Sequence, residues 1–298
     1  MPPDSAPFEN FVDTPEGRLH YLDWGGAGYP THFLHAAGFC SGTYGPLFGR
    51  LIERLRIVAS DVRGHGDSSH PASGRIRHWR IFADDLRYLI EHAMSPPVVG
   101  IGHSLGAVAT YIAASRSPRL FSAVILIDPP ILPLKKLWLI RIARIFGQTR
   151  RIPLARMARR RRRVFKSRQD AFERFSAGRG MFKTWSDDFI RAYLECGLLE
   201  KDDDQAILKC DPELEAQIFE AIPIDAWRYA GAIRCPVMAI RGARSETFQP
   251  QAAQRLGRLI PDYVLFTVPG SGHFVPMEKP SECAELIIDF VTRRVGLV

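Results

Sequence analysis

The sequence predicts an α/β chain: a mostly parallel sheet with helices on both faces, interrupted by an inserted helical segment. Three observations carry this. Short apolar runs alternate with helical stretches at both ends of the 298-residue chain. Runs such as Ala123–Ile127 are apolar throughout, which suits strands covered on both faces. From residue 131 to about residue 224 the alternation stops and only helical patterns appear. Alternating β and α units imply a parallel sheet. In such sheets, sites form in the crevice at the carboxyl ends of the strands.

Each element has its own signal. Phe8–Thr14 and Arg18–Trp24 read as a hairpin around Glu16-Gly17. Thr31–His35 is a short strand running into a loop, Leu47–Leu55 reads as helical, and Arg56–Ser60 is a strand ending at Asp61. Trp79, Phe82, Leu86 and Ile90 recur at helical spacing. The strand Pro97–Gly102 stops at Gly-His-Ser, and a small-residue helix follows over Leu105–Ser115. Ala123–Ile127 ends at Asp128-Pro129-Pro130. After the insertion, strands at Pro236–Arg241 and Tyr263–Val268 flank a helix over Gln251–Leu259. A last helix puts Cys283, Leu286, Ile287, Phe290 and Val291 on one side. The organisation is a core of residues 1–130 and 225–298, with residues 131–224 inserted.

Composition narrows the class. Apolar residues at 46% and charged residues at 24% are ordinary for a soluble domain. No run of 18 apolar residues occurs, so no transmembrane helix is expected. The opening Met-Pro-Pro-Asp-Ser-Ala-Pro lacks a basic region followed by an apolar one, so no secretory signal is expected. Cys40, Cys196, Cys210, Cys235 and Cys283 are odd in number and scattered. They suggest neither a disulfide framework nor a metal site, and a cytoplasmic location is expected. The net charge of +8 is local: Lys135–Arg168 holds 14 Lys or Arg and no Asp or Glu. Subtracting those 14 leaves −6 for the rest.

The chemistry begins at Gly102-His103-Ser104-Leu105-Gly106, a G-x-S-x-G pattern between a strand and a helix. A tight turn there exposes the serine hydroxyl and needs glycines where side chains would clash. It also aims a helix N-terminus at the reaction centre, where the Leu105 N–H can stabilise an oxyanion.

These residues, with others, resemble the α/β-hydrolase superfamily. His35-Ala36-Ala37-Gly38-Phe39 is similar to its oxyanion loop after the third strand. Asp61-Val62-Arg63-Gly64-His65-Gly66-Asp67-Ser68 resembles its D-x-R-G-x-G-x-S loop, and Gly272-His273-Phe274 its catalytic-histidine loop. The resemblance covers roughly residues 1–130 and 225–298, and it implies that residues 131–224 form a variable helical cap.

The site follows. Ser104 is the expected nucleophile, and His273 the base that takes its proton. His35, His65 and His103 sit inside loop motifs and are expected to shape backbone. Two carboxylates compete to orient His273. Glu246 is the only carboxylate in the loop after the seventh strand, and the reading favours it; Asp128, after the sixth strand, is the alternative. The second oxyanion donor is expected at Ala37, with Ala36 or Gly38 if the loop slips by one residue.

The five consecutive arginines Arg159–Arg163 read first as a solvated face of a cap helix. A weak contact with anionic membranes through them is the second reading; nucleic acid is not expected. A consecutive run points all around a helix and cannot line one pocket. Leu137, Trp138, Ile140, Phe172, Phe175, Phe182, Trp185 and Phe189 are expected to pack the cap, some facing the crevice. The expected function is a serine hydrolase of carboxylic esters with an apolar part, forming an acyl-enzyme and needing no metal or cofactor. Lactone, thioester, amide and carbon–carbon bond cleavage are open to the same machinery. A non-catalytic binding protein docking through the Arg-rich segment is the rival from another class.

Overall fold

The computed structural model describes residues 6–72, 74–178, 180–202 and 204–296. The opening residues on which the signal-peptide expectation rests therefore lie largely outside it. Eight strands make one sheet: β1 (Phe8–Thr14), β2 (Gly17–Gly25), β3 (Tyr29–Leu34), β4 (Leu55–Ser60), β5 (Val98–His103), β6 (Phe121–Ile127), β7 (Val237–Gly242) and β8 (Tyr263–Val268). Their order is β1-β2-β4-β3-β5-β6-β7-β8. The hairpin β1–β2 adds antiparallel to β4, and all other pairings are parallel. The switch in order puts β5 at the centre, so the loop at its carboxyl end opens between the loops of β3 and β6.

The apolar strands are central for the expected reason. Every residue of β5 and β7 is buried. Helix α1 (Arg80–Ala93) buries Phe82, Leu86 and Ile90 on one side. Helix α2 (Leu105–Arg116) follows β5 and is buried along nearly its whole length, which its small residues permit. The last helix, Pro280–Arg294, buries Cys283, Ile287, Phe290 and Val291.

Three expectations are corrected. Leu47–Leu55 is not a helix. A single turn at Gly45–Phe48 gives way to further turns, and Leu55 already pairs in β4. Leu47, Phe48, Leu51 and Leu55 all reach the core through turn hydrogen bonds such as Leu51 N–H to Phe48 O, which mimic helical spacing. The inserted segment is not purely helical either: Val164–Phe165, Leu198–Glu200 and Ala206–Leu208 form a small antiparallel sheet. Strands of two or three residues are too short for periodicity to register. Finally, Cys40 and Cys196 are joined in a disulfide across 156 residues. The inserted helix Asp187–Gly197 packs on the turn Ser41–Tyr44, bringing together cysteines that are remote in sequence. This removes the cysteine argument for a reducing compartment. Among the described residues, no helix is long and apolar enough to cross a membrane.

Candidate active site

Ser104 stands between β5 and α2 with φ +54° and ψ −114°. A side chain with Cβ pays for positive φ, so the turn must be held from outside. It is: the Ser104 N–H donates to Ile127 O and the Gly106 N–H to His35 O. The flanking glycines are obligatory. A Cβ at Gly102 would lie 2.4 Å from the Gly106 carbonyl carbon, and one at Gly106 would lie 2.1 Å from Leu34 O.

His273 leaves the loop after β8 with its Nε2 3.0 Å from Ser104 Oγ. Its Nδ1 is 2.6 Å from Asp128 Oδ2. Asp128, fully buried at the end of β6, is also held at positive φ (+43°). It accepts from Gly242 N–H at 3.2 Å through Oδ1 and from Ser245 Oγ at 2.5 Å through Oδ2. The structure thus brings Asp128 to His273 and leaves Glu246 exposed to solvent. The preference for Glu246 is corrected. The loop after β7 does reach the acid, but it does so through Ser245, whose hydroxyl turns inward while its neighbour turns out.

In the loop after β3, two of the three candidate backbone donors are already engaged. The Ala36 N–H donates to Tyr44 Oη at 3.1 Å and the Gly38 N–H to His65 Nε2 at 3.0 Å. Among the described residues neither Ala37 N–H nor Leu105 N–H has a partner. The three loop histidines all hold backbone. His35 Nε2 accepts from Val62 N–H and its Nδ1 donates to Ala36 O. His103 Nδ1 accepts from Tyr44 Oη at 2.7 Å, and its Nε2 donates to His273 O at 3.0 Å. Burial lowers the pKa of His35 and His103 and brings His65 down to about 3. They are neutral rings, as these donor–acceptor patterns require.

Other groups position these loops, in roles that the sequence motifs did not assign to them. Glu278 clamps the histidine loop by accepting from Gly272 N–H at 2.8 Å and Phe274 N–H at 3.3 Å. Asp61 accepts from Ser41 N–H, Asp67 N–H and His20 Nδ1, fixing the D-x-R-G-x-G-x-S loop. Arg63 of that loop is buried against Asp85. Phe274 packs against His273 with centroids 5.0 Å apart, and Trp185 and Phe39 pack on Phe274 in turn, at 5.8 and 6.0 Å.

The arginine run is also relocated. Its helix ends at Arg159, so the remaining four arginines lie beyond helical geometry. Arg159 pairs with Glu213 and Glu220, Arg161 with Glu215, Arg162 with Asp170 and Arg163 with Asp211. Four of the five thus bind carboxylates of the inserted segment. Arg161 points inward, where Tyr193 Oη accepts a hydrogen bond from its guanidinium.

A serine, a histidine and a buried carboxylate in line at the carboxyl edge of a parallel sheet define the α/β-hydrolase class of site. A family model described as the alpha/beta hydrolase family matches residues 33–286, and the chain belongs to that family. It is 28% identical over 267 residues to the 2-(acetamidomethylene)succinate hydrolase of Mesorhizobium japonicum, covering 89% of each chain. It is 23% identical to an sn-1-specific diacylglycerol lipase of Mus musculus, over 87% of this chain and 80% of that one. The crystal structure of an E-2-(acetamidomethylene)succinate hydrolase superposes with a TM-score of 0.75 at 24% identity, over 97% of this chain and 99% of the other.

Proposed function

We propose that this protein is a serine hydrolase acting on carboxylic esters through an acyl-enzyme. The observation that carries the reading is the unbroken line Asp128 Oδ2–His273 Nδ1 and His273 Nε2–Ser104 Oγ, at 2.6 and 3.0 Å. A serine hydroxyl needs a base within hydrogen-bond reach, and the base needs its far N–H fixed by an acceptor. Asp128 supplies that acceptor from a fully buried position. Ser104 Oγ attacks the substrate carbonyl as its proton passes to His273 Nε2. The N–H groups of Leu105 and Ala37 receive the developing oxyanion. His273 then gives its proton to the departing alkoxide, and water attacks the acyl-serine with His273 as base.

Residues 131–224 would serve as the cap over this line. Trp185, with Phe39 and Phe274, offers an apolar wall beside His273, which fits an apolar acyl or alcohol group. The lipase among the relatives is consistent with that wall.

The test is labelling with a fluorophosphonate, with the adduct mapped by mass spectrometry. An adduct on Ser104, absent in S104A and in unfolded protein, supports the reading. Folded protein without an adduct would favour a non-catalytic binding role. A panel of acyl esters graded by chain length, with a thioester and a lactone beside it, then defines the bond and the chain preferred.

A further inference from the structure

Helix α3 (Leu134–Ile145) buries almost nothing. It holds to the body through Leu137 and through Arg144, which donates to Glu220 O and Ile222 O. Its other side is apolar and uncovered: Trp138 is 64% exposed, Leu139 62%, Ile145 72% and Phe146, just past the helix end, 70%. At 3.6 residues per turn, these four and exposed Leu134 fall within an arc of about 140°. The adjacent helix Pro153–Arg159 exposes Leu154 and Met157. Apolar side chains gathered in this way are uncommon on a surface that meets only water.

Cations lie among these side chains and further along the same segment. Lys135, Lys136 and Arg141 on α3, with Arg151, Arg156 and Arg160 beyond it, are exposed and have no carboxylate partner among the described residues. No acidic residue occurs anywhere from Lys135 to Arg168.

We propose that this face docks on an anionic phospholipid surface, with α3 lying in the plane of the interface. Twelve residues span about 18 Å, too short to cross a bilayer but long enough to lie in one leaflet's interface. Trp138 and its apolar neighbours enter the headgroup boundary, where an indole is favoured. The unpaired cations meet lipid phosphates and carboxylates. A second copy of the chain is a poor occupant, because a two-fold contact would set this cationic face against itself. A nucleic acid would satisfy the cations but leave Ile145 and Phe146 in water. The proposal also moves the membrane contact from the Arg159–Arg163 run, largely committed to internal carboxylates, to α3.

The experiment sediments the full-length protein with phosphatidylcholine vesicles with or without phosphatidylserine. Binding should require phosphatidylserine and weaken with salt. K135E/K136E/R141E should weaken it by at least about fivefold per charge, and W138E/I145E should abolish it. Trp138 is the only exposed indole of the five in the chain, so vesicles should shift the emission of the wild type to the blue and not that of W138F. Soluble-ester turnover and melting temperature should hold in every variant, which separates this proposal from the catalytic reading. Equal binding to both vesicles, no binding, or binding unmoved by either set of substitutions would overturn it. So would a wild-type dimer that W138E/I145E converts to a monomer without affecting vesicle binding.

Discussion

Buried Asp128 and half-buried His273, 145 residues apart, meet at 2.6 Å, while Glu246 stands exposed only one residue from Ser245, which also binds Asp128. The two carboxylates therefore make opposite predictions. D128N keeps the shape but can present an amide N–H to His273 Nδ1, favouring the wrong tautomer, and should lower kcat by about 10⁴-fold. E246A should stay within about twofold of wild type. Steady-state kinetics on one ester decides it: a crippled E246A beside an active D128N would reverse the assignment.

Tyr44 links two loops of the site. Its hydroxyl accepts from Ala36 N–H and donates to His103 Nδ1, and His103 in turn donates to the His273 carbonyl. Y44F leaves a buried N–H and a buried imidazole nitrogen unpartnered, at a cost of about 1–3 kcal/mol each. It should lower the melting temperature and reduce kcat about tenfold, with KM little changed because no substrate contact is removed. Turnover and stability both at wild-type values would show that the relay positions nothing.

Much of this site was legible in the sequence, and the illegible part has a physical explanation. Ser104, Leu105 and His273 sit in short local patterns, and the backbone geometry that serves them is also local. The His35–Phe39 loop was readable as a motif, but which of its N–H groups are engaged was not, because the acceptors Tyr44 Oη and His65 Nε2 come from other turns. The acid depends on which of two strand ends lies nearer the imidazole, a question of side-chain direction in a buried loop. Proximity in sequence to β7 pointed to Glu246, but Ser245 is the residue that turns inward. The disulfide was unreadable because Cys196 lies in a segment whose docking is set by tertiary packing. The Arg run deceived because carboxylates 8 to 61 residues away absorb its charge.

The Cys40–Cys196 disulfide ties the residue after Phe39 to the last turn of an inserted helix. Closing so long a loop removes much chain entropy from the unfolded state, and losing a native disulfide typically costs about 2–5 kcal/mol. C196S should lower the urea midpoint accordingly, and reductant should shift wild type but not C196S. A midpoint identical in wild type and C196S under oxidising conditions would mean that the bond contributes nothing to stability.

Stability should also fall as pH drops below neutrality. His32, His35, His65 and His103 are buried, and burial lowers all four pKa values from 6.5, with His32 and His65 at about 3. The unfolded chain takes up protons below pH 6.5 that the folded chain refuses. Their contribution is therefore complete above 6.5 and is lost as pH falls, down to about 3 for His32 and His65. Each such imidazole costs about 1.4 kcal/mol per pH unit in that window. Asp61 acts lower: burial pushes its pKa up, but the hydrogen bond and charge of His20 and the Ser41 N–H outweigh it and hold it near 2, so its contribution fades only below about 3.8. His20 opposes the trend. Burial lowers its pKa, but the hydrogen bond and charge of Asp61 raise it above 6.5 overall. Its stabilisation is complete below 6.5 and is lost as pH rises through the raised value. Four lowered rings against one raised ring give a net loss on acidification. Urea unfolding at pH 7.5, 6.5 and 5.5 should show it. H32L, which removes a ring with an unpartnered Nδ1 remote from Ser104, should flatten the slope by about one ring's share. A slope that H32L leaves unchanged would mean that His32 takes up its proton at the same pH in the folded and the unfolded chain.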